Sequence, residues 1–102
     1  MKKYIILIPI YNDRESLTKL IENINSEIKD LNSNISVIVI NDASSQQIID
    51  DYQNTENINS IEIINMKENR GHARCIASGL KYIYKKKEFD YVIPMDGDGE
   101  DR

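Results

Sequence analysis

The chain has 102 residues and a formal net charge of −4, with 29% charged and 40% apolar residues. That length fits one small domain with a modest core, the balance is that of a folded soluble chain, and the acidic sign argues against a general nucleic-acid binder. A single cysteine, Cys75, leaves neither an internal disulfide nor a Cys/His set with zinc spacing, so a reducing, cytoplasmic setting is the expectation.

The opening MKKYIILIPIYNDRE has the outline of a secretory leader. Its apolar stretch is short, lacks a small-residue cleavage site and runs into Asp13, Arg14 and Glu15. Tyr4–Ile10 instead reads as a strand buried on both faces, as in a parallel sheet. No stretch approaches the ~18 apolar residues that a bilayer span needs. In NDRESLTKLIENINSEIKDL, the residues Leu17, Leu20, Ile21, Ile24, Ile28 and Leu31 recur at helical spacing. Asn12, with Glu15 three residues on, has the form of a capping box.

Ile35–Ile40 is the second predicted strand, and it ends in the polar turn NDASS. A short helix is predicted over Gln46–Tyr52, and a third, more weakly patterned strand over Ile58–Ile64. The loop NMKENRG leads into a helix from His72 to about Lys86, with Cys75, Ile76, Leu80, Ile83 and Tyr84 on its apolar stripe. Lys85, Lys86 and Lys87 stand at its C-terminal end, where cations suit the helix dipole. Tyr91–Met95 is the fourth strand. The order βαβαβαβ predicts an α/β, Rossmann-like domain over residues 1–102: a parallel sheet, helices on both faces and right-handed crossovers.

In open parallel sheets, ligands bind beyond the carboxyl ends of the strands, and polar residues gather after each strand of this chain. Asp96 and Asp98 flank Gly97 in DGDGED, which suits one hard cation such as Mg²⁺ or Mn²⁺; a solvated acidic turn fits the same residues. An EF-hand does not fit, because the position that needs glycine is Asp101. No GxxxxGK[ST] phosphate loop occurs. NRGHAR places Gly71 at a helix N-terminus beside Arg70, His72 and Arg74. That is either an anion site or a glycine turn feeding an ordinary helix. Asp42 suits a hydrogen bond to a ribose or base, or a helix cap that Ser44 or Ser45 could equally supply. Tyr11 either stacks on a base or covers the sheet edge. Cys75 falls on the apolar stripe and reads as core.

Together, IPIYNDRESL, VIVINDASS, NRGHARCIASGL and YVIPMDGDGEDR follow an order and approximate spacing that resembles family 2 glycosyltransferases, which have the GT-A fold. The likeness is greatest to the polyprenyl-phosphate branch, the dolichyl-phosphate mannose synthases and their bacterial relatives. It covers the whole chain, and four ordered motifs are far more specific than one Asp-x-Asp. The resemblance implies the N-terminal, nucleotide-sugar-binding half of a GT-A domain. Pro9, Tyr11 and Asp13 match the strand-one motif that lines the nucleotide pocket, and Asp42 matches the aspartate that holds the base. Arg70, Gly71 and Arg74 match the nucleotide-side loop after the third strand. Asp96 and Asp98 match the pair that binds the metal and, through it, the diphosphate, and Glu100 falls where a further metal contact occurs.

The chain departs from the family pattern in two ways. The family often has two acids and a glycine after strand two, where this chain has Asn41, Asp42 and Ala43. Family catalytic domains also run well beyond the Asp-x-Asp, into the segment that supplies the acceptor site and any base. No catalytic residue is therefore assigned within these 102 residues, which are expected to be inactive alone. The implied reaction is metal-dependent, inverting transfer from a UDP- or GDP-linked sugar to an acceptor, a polyprenyl phosphate in the branch resembled, by a longer, membrane-associated form. The rival is a non-catalytic nucleotide-binding or interaction module. A phosphoacceptor receiver domain fits less well, since its acceptor aspartate follows strand three, where Asn65 and Met66 stand. An open edge beside the fourth strand would favour a homo-oligomer.

Overall fold

Nine residues, Lys2–Ile10, form β1, and Ile5–Ile10 within it are all buried. Successive side chains of a strand point to opposite faces. Ile6, Ile8 and Ile10 accordingly enter one apolar cluster, and Ile5 and Leu7 enter another. The apolar run is continuous because both faces are covered. The computed structural model describes residues 1–45 and 55–95. Besides β1 they form α1 (Arg14–Glu27), β2 (Ser33–Asn41), β3 (Ser60–Asn65), α2 (His72–Lys86) and β4 (Tyr91–Pro94). The helix predicted over Gln46–Tyr52 lies outside the described residues.

The four strands make one parallel sheet in the order β3-β2-β1-β4. Leu17, Ile21 and Ile24 of α1 pack on Ile6, Ile8, Ile10, Val37 and Val39. Cys75 and Ile83 of α2 pack on Ile5, Leu7, Ile38 and Ile40 on the other face. This is the α/β arrangement predicted from the alternation of elements. The chain steps outward from β1 to β3 and then returns through α2 to pair β4 with the far side of β1. Strand order therefore switches at β1, the place where such sheets open a crevice at the carboxyl ends of their strands.

Both prolines obey the ladder. Met95 N–H donates to the Leu7 carbonyl at 2.8 Å, so Leu7 faces β4. Pro9, two residues on, faces the same way without an N–H, and the β1–β4 pairing ends at Leu7 and Pro94. Pro94 alternates with Met95, so its nitrogen lies on the side of β4 away from β1, where no strand pairs among the described residues and a missing donor costs nothing. Tyr91 and Ile93 of that strand are exposed.

Several expected details shift. The cap of α1 is Asp13, whose Oδ1 accepts from Ser16 N–H at 3.3 Å, rather than Asn12 in a box with Glu15. Asn12 has φ +50° and turns instead towards the loop after β2. The helical stripe does not run on to Leu31, which is 58% exposed. The helix stops at Glu27, because Ser33 must reach the sheet opposite Lys2. The third strand starts at Ser60; Ile58 is buried just before it, where Asn25 of α1 accepts from Asn57 N–H at 2.7 Å. Tyr84 leaves the stripe of α2, with its ring edge-on to Phe89 at 5.3 Å.

Candidate functional site

The loops after β1, β2 and β3 lie together at the carboxyl end of the sheet, and polar side chains fasten them to one another. Asn12, in the left-handed region that asparagine tolerates, donates its N–H to Ser44 Oγ at 2.9 Å. Its Oδ1 accepts from Ser45 N–H at 2.8 Å and Ser45 Oγ–H at 3.1 Å. Asn41, where the family often has an acid, donates Nδ2–H to Asn65 Oδ1 at 2.8 Å and accepts from Ser44 N–H at 3.1 Å. An acid there could not make the first of these bonds. Ala43 between them has φ +58°.

Asp42 is the hub. It is 1% exposed, and its main chain donates to the Ile10 carbonyl at 2.9 Å and accepts from Asn69 Nδ2–H at 3.3 Å. Its carboxylate oxygens accept from Arg70 N–H at 2.7 Å and Gly71 N–H at 2.8 Å. The buried Cys75 thiol lies beside it. Burial pushes the Asp42 carboxyl up, but the Arg70 and Gly71 amides, the Cys75 thiol and the nearby His72 more than offset this and hold it below its ordinary 3.8. Burial, then the bond to Asp42 and its charge, push the thiol up to about 12. Cys75 is thus core, as expected, with its thiol beside the Asp42 carboxylate.

Gly71 is the N-cap residue of α2, with φ +89° and no side-chain cap. A Cβ there would meet nothing within 4 Å, so the dihedral alone calls for glycine. The first turn of α2 contains no acid. Arg70 extends to Glu68 at 2.5 Å. A cavity of about 380 Å³ opens beside Met66, Arg70, Arg74, Ala77 and Ser78. A second, of about 320 Å³, lies away from these loops near Lys3, Asn34, Ser60 and Lys87.

Of the residues singled out in the sequence, Asp42, Arg70 and Gly71 are in direct contact, and Arg74 follows in the first turn of α2. Tyr11 is 47% exposed on the neighbouring loop, Asp13 caps α1, and Pro9 is buried in β1. Asp96, Asp98 and Glu100 lie outside the described residues. Among the described residues, no group of three or more His, Cys, Asp or Glu could hold a metal ion. Asn65 and Asn69 were not singled out. Their only signal was position, as polar residues at and just after the end of a strand.

The family model described as glycosyl transferase family 2 matches residues 5–102. The chain is 30% identical over 100 residues to an uncharacterized glycosyltransferase of Synechocystis sp., covering 94% of this chain and 29% of that protein. It is 30% identical over 101 residues to the undecaprenyl-phosphate 4-deoxy-4-formamido-L-arabinose transferase of Proteus mirabilis, covering 96% and 29%. It thus spans 29% of the length of these curated relatives. The crystal structure of S. aureus TarS superimposes with a TM-score of 0.67 at 22% identity, over 94% of this chain and 16% of that one. TarS 1–349 in complex with UDP-GlcNAc gives 0.57 at 24%, over 94% and 26%. At these identities the structures establish a shared fold.

Proposed function

The chain belongs to glycosyl transferase family 2, and from that premise we propose that it is the nucleotide-sugar-binding part of a metal-dependent, inverting glycosyltransferase. The observation that carries the reading is the junction at the strand-order switch. There Asp42 joins the end of β2 to the start of α2, and a helix N-terminus without a side-chain cap opens beside Arg70 and Arg74. Backbone N–H groups at such a helix end favour phosphate oxygens, and the two arginines add charge. Tyr11 offers an exposed ring for a base. The structural likeness to a protein crystallised with UDP-GlcNAc supports a nucleotide-sugar donor.

Asp96, Asp98 and Glu100 supply three carboxylates within five residues, a hard-oxygen set that fits Mg²⁺ or Mn²⁺. When bound, such an ion stabilises the charge on the departing nucleoside diphosphate. The similarity to an undecaprenyl-phosphate transferase supports a lipid-phosphate acceptor. Its oxygen is already anionic, so the site has little need of a general base.

Isothermal titration with UDP- and GDP-sugars in the presence of Mn²⁺ tests the reading. Binding of one class is expected, weakened at least ~10-fold by Asp98→Ala through loss of a metal ligand. No binding by either class, or binding indifferent to that substitution, overturns it. The 102-residue chain is expected to bind without turnover. Sugar transfer by it would overturn that expectation, and binding without transfer favours the non-catalytic module.

A further inference from the structure

We infer that Asn12 is a positioning residue for Tyr11: it latches the loop after β1 onto the loop after β2, so that the ring is set before the nucleoside arrives. The inference rests on the nucleotide-sugar reading above and deepens it on the nucleoside side. β1 and β2 run paired as far as Ile10 and Asn41, and Asp42 N–H donates to the Ile10 carbonyl at 2.9 Å. Tyr11 follows at once and is 47% exposed. Among the described residues, no hydrogen bond or ring contact holds its side chain. Its place is therefore set by the backbone on either side of it, and Ile10 secures only one side.

Asn12 secures the other. Its N–H donates to Ser44 Oγ at 2.9 Å, and its Oδ1 accepts from Ser45 N–H at 2.8 Å and Ser45 Oγ–H at 3.1 Å. Ser44 is in turn tied to the end of β2, where Asn41 Oδ1 accepts its N–H at 3.1 Å. The latch is made from a backbone at φ +50°, a region that asparagine and glycine both tolerate. Asparagine takes that dihedral and also supplies the acceptor; glycine can do only the first. Without the acceptor, the loop has to be ordered by the ligand, at a cost in affinity. The cost falls on ligands that carry a base and spares those that are only a diphosphate.

The test is titration of UDP, GDP and inorganic pyrophosphate in Mn²⁺. Asn12→Gly keeps the dihedral and removes the acceptor. It is expected to weaken whichever nucleoside diphosphate the wild-type chain takes by about 3–10-fold, the worth of one hydrogen bond, and to leave pyrophosphate unchanged. Asn12→Asp keeps the acceptor and should restore the ratio of the two affinities. A double-mutant cycle is read on the nucleoside diphosphate alone: in a Tyr11→Ala background, Asn12→Gly should cost nothing further, because the latch acts only through the ring. An unchanged ratio in Asn12→Gly, whatever its melting temperature, would make the residue merely structural. That result, or a full further loss in the double variant, overturns the inference and leaves the nucleotide reading standing.

Should Asn12→Gly not fold, the partners carry the test. Ser44→Ala removes the acceptor of the Asn12 N–H, and Ser45→Ala removes one donor to Oδ1 while keeping the Ser45 N–H. Each is expected to weaken the nucleoside diphosphate about 2–5-fold, the lower end for a single bond, with pyrophosphate unchanged. No change in either variant overturns the latch. A wild-type chain that binds neither UDP nor GDP overturns the nucleotide reading itself, and this inference with it.

Discussion

Ala43 has φ +58°, a region where an L-residue with a Cβ carries a penalty of about 1–2 kcal/mol. The turn tolerates it because Ser44 and Ser45 on one side and Asn41 on the other are tied down by hydrogen bonds. Ala43→Gly removes the penalty and adds back about 0.5–1 kcal/mol of unfolded-chain entropy. The expected net gain is about 0.5–1 kcal/mol, read as a higher urea midpoint at unchanged slope; a lower midpoint would show that the methyl group contributes packing worth more than the strain. The polar character of NDASS was legible in the sequence, whereas the sign of φ was not, because alanine carries no preference for the left-handed region. Asp42 shows the same limit. Its type and place at a strand end were readable, but its partners lie 28 and 29 residues downstream, and only the fold brings Arg70 and Gly71 to it.

The element most exacting in its packing is α2, through a glycine that periodicity passed over. A Cβ on Gly79 would lie 2.6 Å from Leu7 Cδ1 and 3.2 Å from Ile40 Cγ1, both fully or almost fully buried. The helix therefore sits on β1 and β2 at a distance where any larger residue must push the Leu7 side chain aside. Gly79→Ala gains about 1 kcal/mol of helix propensity and loses about 1–3 kcal/mol to overpacking. A net destabilisation of about 1 kcal/mol is expected. Trimming the neighbour should relieve it: the Leu7→Val, Gly79→Ala double variant is expected to be more stable than the sum of its single effects, as a double-mutant cycle measures. Strict additivity would place the strain elsewhere. The first two strands were readable because each is a dense apolar run, and α1 because Leu17, Ile21 and Ile24 keep one face. Element ends were harder to read, since pairing such as Lys2 with Ser33 decides where α1 must stop.

Across the whole molecule, α2 carries the chain back from the β3 edge to β4, and a carboxylate fixes each of its ends to the sheet. Asp42 of the β2 end holds its start. Glu62 of β3 accepts from the Tyr82 hydroxyl and pairs with Lys87 at 2.9 Å, and the Lys87 ammonium also lies over the Tyr82 ring. Burial raises Glu62, but Tyr82 and Lys87 more than offset this and hold it below its ordinary 4.5. Tyr82 is pushed above 10.0 by its bond to Glu62, and Lys87 above 10.5 by the same carboxylate. The two lowered carboxyls contribute stability that is present above their unfolded values and lost as pH falls through the folded ones. Tyr82, Lys87 and the thiol of Cys75 are raised, so their contribution is full below the unfolded values. It is lost as pH rises through the folded ones, beginning with the thiol above 9.0. Thermal melts from acid to alkali should therefore show a plateau from about pH 5 to 9 with a limb on each side. Tyr82→Phe is expected to lower the plateau by about 1 kcal/mol, a charge-assisted bond discounted for partial exposure, and to flatten both limbs because Glu62 loses a partner. Cys75→Ser should leave the acid limb in place and move the alkaline onset up towards pH ~10, where tyrosine begins to titrate. Limbs unchanged in Tyr82→Phe would mean that the Tyr82 hydroxyl adds nothing to Glu62 beyond its pair with Lys87.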